Sequence, residues 1–263
     1  NSHVSEADSI RSWEALLGLV AKYSQIRFSS LSQQLATRLR KKKREDLTSN
    51  ALFTEADTIT LLSMGPERAQ EALRKGLSMG ADAAIHINDG ALAGSDALST
   101  SRVLAEAIKK EQPDLILTGT ESTDARMSVI PSMLSERLEL PHLSFAGEVQ
   151  IDVNSGKVTT KRMTDEGVES MEAQMPAIVT VIEKINEPRY PSIKGIMAAK
   201  KKVIETKSLA DVGVSSAEVG SSGAWSSVVD ASARPPRDKG IKVEDSGDGG
   251  TKLADYLAEK RLV

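Results

Sequence analysis

The chain predicts an α/β fold: a doubly wound, mostly parallel sheet with an antiparallel β insertion and a C-terminal arm. Three observations carry this. From Thr58 onward, short β-prone runs alternate with helical apolar stripes, the order of parallel strands joined by right-handed crossovers. After Pro141 the apolar period falls to two, as in half-buried antiparallel strands. From residue 214 to residue 250 both periods fade into Gly, Ser and Pro clusters.

Residues 58–62 form the first β-prone run, and Ser63-Met64-Gly65-Pro66 turns the chain. Ala69, Ala72, Leu73, Gly76 and Leu77 then repeat at helical spacing, with Gly80 placed to end the helix. Residues 83–87 are the next strand. After the Asn88-Asp89-Gly90 turn, Ser95 or Asp96 caps a helix that runs to about Lys110. Residues 115–118 are a third strand, and Met133, Leu134, Arg137 and Leu138 belong to a third helix.

Beyond Pro141, Val149, Ile151 and Val153 alternate with Glu148, Gln150 and Asp152, and Asn154-Ser155-Gly156-Lys157 supplies a hairpin turn. Met171, Ala173 and Met175 continue the alternation before the apolar run 177–182. The stretch 186–202, NEPRYPSIKGIMAAKKK, predicts a shaped loop rather than a strand or helix, because Pro188 and Pro191 fix the backbone and remove amide donors. Tyr190, Ile193, Ile196 and Met197 give it an apolar side, and Lys200, Lys201 and Lys202 close it with charge, the makings of a partner-docking element. Gly220-Ser221-Ser222-Gly223, Pro235-Pro236 and Gly247-Asp248-Gly249-Gly250 read as loop, while Leu253, Tyr256 and Leu257 form a last helical stripe. The domains expected are an N-terminal segment 1–55, an α/β domain 56–212 and an arm 213–263.

Composition narrows the chemistry. The 263 residues contain no cysteine, which excludes disulfides, thiolate metal sites and a cysteine nucleophile. The three histidines, His3, His86 and His142, lack metal-ligand spacing. Between Ala15 and Arg44 lie eight basic residues and no acid, so the body that follows is acidic and argues against nucleic acid as a partner. No apolar run reaches the roughly 18 residues that cross a bilayer. His86 in its apolar strand and Asp165-Glu166 in a turn have structural explanations, and there is no nucleophile elbow, P-loop or intact GxGxxG. The best ligand site is the strand-to-helix loop of Gly119, Thr120, Glu121, Ser122, Thr123 and Asp124, with Ser128 beyond it. Such a loop lies at the carboxyl end of a parallel sheet, where glycine lets backbone approach a phosphate and the next helix offers unpaired amides.

Three blocks share a family likeness. Asn186-Glu187-Pro188-Arg189-Tyr190 followed by Ile196-Met197-Ala198-Ala199-Lys200-Lys201-Lys202, the block 161–181 (KRMTDEGVESMEAQMPAIVTV) and the Gly119 loop stand in the order found in the electron transfer flavoprotein beta subunit family, which the chain resembles from Thr58 to Val263. The resemblance implies a Rossmann-like, adenine-nucleotide-binding fold without catalytic residues of its own. It implies AMP, or in some branches of the family a second flavin, in the Gly119 loop, with Ser63, Met64 and Gly65 as a second nucleotide-facing segment. It also implies an alpha-subunit partner that holds most of a shared FAD, and an arm that wraps that partner. Tyr190, Pro191, Ile193 and Met197 become the docking residues for acyl-CoA and related flavin dehydrogenases, from which electrons pass to a membrane quinone oxidoreductase. The location implied is the bacterial cytoplasm or the mitochondrial matrix. Two other functions fit a related fold: an adenine-nucleotide sensor and a nucleotide-hydrolysing enzyme.

Residues 1–55 lie outside the resemblance. Trp13, Leu16, Leu17, Leu19 and Val20, then Leu31, Leu35 and Leu39, read as helical where the family opens with a buried strand. A targeting leader, helices covering a sheet edge and a misread stretch of sequence are the three explanations, the last preferred because the likeness starts abruptly.

Overall fold

From Thr58 to Leu138 strands alternate with helices along the chain. The computed structural model describes residues 58–122, 126–185, 190–230, 232–233, 242 and 245–262, together with the backbone of 35–38. The elements are β1 (Leu35–Arg38), β2 (Thr58–Met64), α1 (Ala69–Ser78), β3 (Ala83–Ile87), α2 (Ala97–Glu111), β4 (Leu115–Gly119) and α3 (Ile130–Leu138). They continue with β5 (His142–Asp152), β6 (Lys157–Thr164), β7 (Gly167–Gln174), β8 (Ala177–Val181) and α4 (Ile193–Lys201). Last come β9 (Glu205–Lys207) and three helices, α5 (Leu209–Val212), α6 (Gly220–Gly223) and α7 (Gly249–Glu259).

The strands form one nine-stranded sheet in the order β7-β6-β5-β8-β4-β1-β2-β3-β9. Strands β2, β3 and β9 are parallel, as are β4, β5 and β8, while β6 and β7 extend the sheet antiparallel. Alternate residues of the inner strands feed two cores. Ile59, Leu61, Ala84, Leu115, Leu117 and Val179 pack with α1 and Ala199 of α4 on one face. Leu62, Ile85, Ile87, Ile116 and Ile178 pack with α2, α3 and α5 on the other. Burial on both faces is why these strands are near-continuous aliphatic runs rather than alternating ones.

Three helix starts carry a local signal. Asp96 caps α2, its carboxylate accepting from Ser99 N at 2.9 Å. Ser208 and Asp211 form a reciprocal capping box on α5. Pro131 stands in the first turn of α3, where its missing amide costs nothing.

Three expectations are corrected. Leu35, read as part of a helical stripe, opens strand β1, which runs antiparallel between β2 and β4, Leu35 paired with Leu61 and with Leu117. Two facing strand edges offer a full set of backbone partners, and that outweighs leucine periodicity. The remaining N-terminal calls, including Trp13 and Leu17, lie outside the described residues. Next, Ile193–Lys201 is helix, not shaped loop. Pro191 falls before the cap, Ser192 Oγ accepts from Gly195 N at 3.0 Å, and the residues that follow are good helix formers. Finally, Gly220–Gly223 forms a short helix rather than loop.

The chain divides after Asp230 into this large unit and a small one, Ala231–Val263. In the small unit α7 buries none of its residues; Leu253 is 58% exposed and Tyr256 43%. No helix among the described residues is long and apolar enough to cross a membrane.

Candidate functional site

A cleft of about 540 Å³ opens at the carboxyl end of β4. Gly119, Thr120, Glu121, Ser122, Arg126, Met127 and Ser128 line one side, with Ile130 and Pro131 at the start of α3. The sheet fixes the entry to this loop, since Thr120 Oγ1 donates to Val181 O at 3.0 Å and ties it to β8. Arg126 N then donates to Ser122 O at 3.0 Å, folding the loop back on itself. Arg126 and Ser128 take left-handed φ of 51° and 56°, uncommon for residues with a Cβ. Ser128 Oγ donates to Glu121 Oε2 at 3.0 Å.

The chemistry of this side suits an anion. Val129 gives α3 no side-chain cap, and the first residues of the helix, Ile130 and Pro131, line the cleft, so its positive dipole end stands at the cleft edge. Among the described residues no carboxylate pairs with Arg126, which lines the same cleft.

The opposite side joins distant segments: Gly94, Ser95, Asp96, Ala97 and Thr100 with Ser221, Ala224 and Ser226 to Val228. Asp96 holds them together. Beyond capping α2, its Oδ2 accepts from Trp225 N at 2.8 Å and from Ser226 N at 3.3 Å. Partial burial works to raise the Asp96 pKa, but the amides of Ser99, Trp225 and Ser226 outweigh it and hold the carboxyl below its ordinary value.

Gly119, Thr120, Glu121, Ser122 and Ser128 are thus brought together, while Thr123 and Asp124 lie outside the described residues. Ser63, Met64 and Gly65 stand at the carboxyl end of β2, on the far side of β1, and none lines the cleft. Their turn is held by Gly65 N donating to Ile87 O at 3.1 Å and by His86 Nε2 donating to Gly65 O at 3.0 Å. His86 Nδ1 meets Gln70 Nε2 at 3.3 Å, so both ring nitrogens of this fully buried histidine are satisfied.

A second candidate surface lies on α4. Ile193 is 83% exposed, Tyr190 87% and Met197 55%; Pro191 is half-buried beside them. Ile193 and Met197, four apart, share one side of the helix, and Ile196 at 41% exposed lies beside them. The opposite side carries Gly195 and Ala199, small residues that admit α1: a Cβ on Gly195 would stand 2.3 Å from Ser78 O.

Sequence reasoning offered Ser95 or Asp96 as the helix cap, which is Asp96, and missed its hold on residues 225–226. Nothing in the local pattern marks a partner more than a hundred residues away.

Comparisons with known proteins give the family of the chain. The electron transfer flavoprotein domain family matches residues 41–212, so the match begins before the expected Thr58 and just after β1. The electron transfer flavoprotein subunit beta of Mycobacterium tuberculosis is 46% identical over 207 residues, covering 78% of this chain and 77% of that one. That of Mycobacterium leprae is 45% identical over the same shares. That of Megasphaera elsdenii is 36% identical over 209 residues, 77% of each chain. A flavoprotein loop order, a mixed α/β sheet and this breadth of identity lead to one statement: the chain belongs to the electron transfer flavoprotein family, as a beta subunit.

Proposed function

We propose that this beta subunit pairs with an alpha subunit, binds AMP non-catalytically in the β4 cleft and presents α4 to flavin-dependent dehydrogenases. Electrons would then pass to a membrane quinone oxidoreductase. The observation that carries this reading is the cleft itself. Its volume falls within the roughly 300–1,000 Å³ of small-molecule sites. The start of α3, which has no side-chain cap, lines it together with Ser122, Arg126 and Ser128.

Those residues fit a nucleotide monophosphate. The α3 amides and Arg126 would hold the phosphate, while Gly119 and Thr120 give the rest of the ligand a close backbone approach. The sheet in this reading is the Rossmann-like platform of the family, with ligand at the carboxyl ends of its strands. Shared FAD, held mainly by the alpha subunit, supplies the one-electron chemistry. This chain's part is to shape the site, exclude water and position partners; residues 213–263 form the arm that engages the alpha subunit.

Co-expression with an alpha subunit, followed by a visible spectrum and nucleotide analysis, tests the reading. The pair should show flavin absorbance and hold AMP at about one per heterodimer, whereas this chain purified alone should hold little flavin. Flavin retained stoichiometrically by the isolated chain, or a flavin-bearing heterodimer without AMP, would refute the division of labour proposed.

A further inference from the structure

The far wall of the cleft is built by two segments joined through backbone amides. Gly220 N donates to Ser95 Oγ at 2.9 Å, and Ser221 N donates to Ala93 O at 3.1 Å. Gly220 has φ 63°, and a Cβ there would stand 2.1 Å from Ala91 O, so the approach leaves no room for a side chain. Past this contact the segment has little apolar burial to hold it. Trp225 is 89% exposed, Val228 85% and Val229 96%. Asp96 is what fastens residues 225–226, with one oxygen on the start of α2 and the other on the Trp225 and Ser226 amides. Ser226 and Val228 then complete the cleft wall.

We propose that Asp96 is a positioning residue for the nucleotide site: its carboxylate makes residues 220–228, the root of the C-terminal arm, a wall of the cleft, so that cleft ligand and arm root stabilise each other. This rests on the nucleotide reading of the cleft. A ligand that touches both walls binds the fastened arrangement better than the loose one, and by linkage it must strengthen the fastening to the same degree. The negative charge does not set the carboxylate against a phosphate, because backbone amides occupy both of its oxygens. The phosphate is directed instead to the opposite side, where Arg126 and the α3 amides stand.

The test uses the full chain with Asp96→Ser and Asp96→Asn. Serine keeps an oxygen to cap α2 but has none for residues 225–226; asparagine keeps a cap and turns an amide group toward those donors. Hydrogen exchange is measured across residues 97–111 and 220–228 with and without AMP, and AMP affinity is measured by calorimetry. In the wild type the Trp225 and Ser226 amides should be protected, and AMP should slow their exchange further. In both variants α2 should stay protected, residues 225–226 should exchange fast, and AMP affinity should fall about tenfold. A wild type that does not bind AMP overturns the nucleotide reading and the coupling together. AMP binding of wild-type strength in variants with a released root overturns the coupling alone. Loss of α2 protection in both variants also overturns it, since Asp96 would then act only through the fold.

Discussion

Ile193 is exposed and helical, which separates its contribution to folding from its contribution to docking. Truncation to alanine removes no core contact and places a better helix former in α4. If Ile193 anchors a dehydrogenase, losing it should weaken docking by roughly 2 kcal/mol, the worth of one buried aliphatic side chain. Ile193→Ala should therefore slow electron transfer from a dehydrogenase about thirtyfold at limiting concentration, with reduction by a small chemical donor unchanged. Equal loss with both donors would trace instead to misfolding. His142 offers a test of a different kind. Its Nε2 meets Thr180 Oγ1 at 2.7 Å, and Thr180 Oγ1 meets Thr118 Oγ1 at 3.0 Å in the buried sheet. Burial first, and the Arg162 charge second, lower its pKa from the ordinary 6.5. The unfolded chain thus takes up a proton that the fold refuses, so stability present above pH 6.5 is lost as pH falls toward the lowered value. Urea midpoints measured between about pH 7.5 and about pH 5 should fall, and His142→Gln should flatten that slope. A slope unchanged by the substitution would remove His142 as its source.

Among the elements, those with an unambiguous local signal were legible; one with distant partners and one whose cap follows two prolines were not. The stripe at Ala69, Ala72, Leu73 and Leu77 and the Asp96 cap placed α1 and α2 because both signals lie within a few residues of the element. Strand β1 was hidden because its partners, Leu61 and Leu117, are remote in sequence. Helix α4 was hidden because Pro188 and Pro191 look disruptive until Ser192 is seen to start the helix after them. Its Gly195 reads as weakness in a helix, yet in the fold it is what lets α4 approach the end of α1. The Arg74 guanidinium completes that contact by donating to Ala199 O and Lys202 O at the helix end. Gly195→Ala should gain helix propensity but force its Cβ against the Ser78 carbonyl, which is backbone and cannot swing aside. We expect a net loss of about 1–3 kcal/mol in chemical denaturation. If α4 docks a dehydrogenase, weaker docking should accompany it, because the Ile193 side of α4 shifts with the helix. A neutral or stabilising result would show that α4 and α1 separate without cost.

At the scale of the whole molecule, the division after Asp230 predicts a separation of folding from assembly. Among the described residues, the two aliphatic cores that hold the sheet draw on none beyond Val219. The fastening of residues 220–226 to the body also lies before the division. By contrast, α7 is an 11-residue helix that buries none of its residues. A helix of that length is marginal in water without tertiary packing. Its apolar stripe of Leu253, Tyr256 and Leu257 therefore needs a surface outside itself to be worth ordering. The arm reading supplies one in the alpha subunit. Ending the chain after Asp230 should leave the thermal midpoint of the body within about 2 °C of the full chain, since no core residue is removed. Co-purification with the alpha subunit should fall sharply, and with it the flavin recovered. Leu253→Ser combined with Tyr256→Ser in the full chain should reproduce that loss without deleting any backbone. If the truncated chain keeps both its stability and its partner, α7 has no part in assembly. If it loses its stability, the division after Asp230 does not separate folding from assembly.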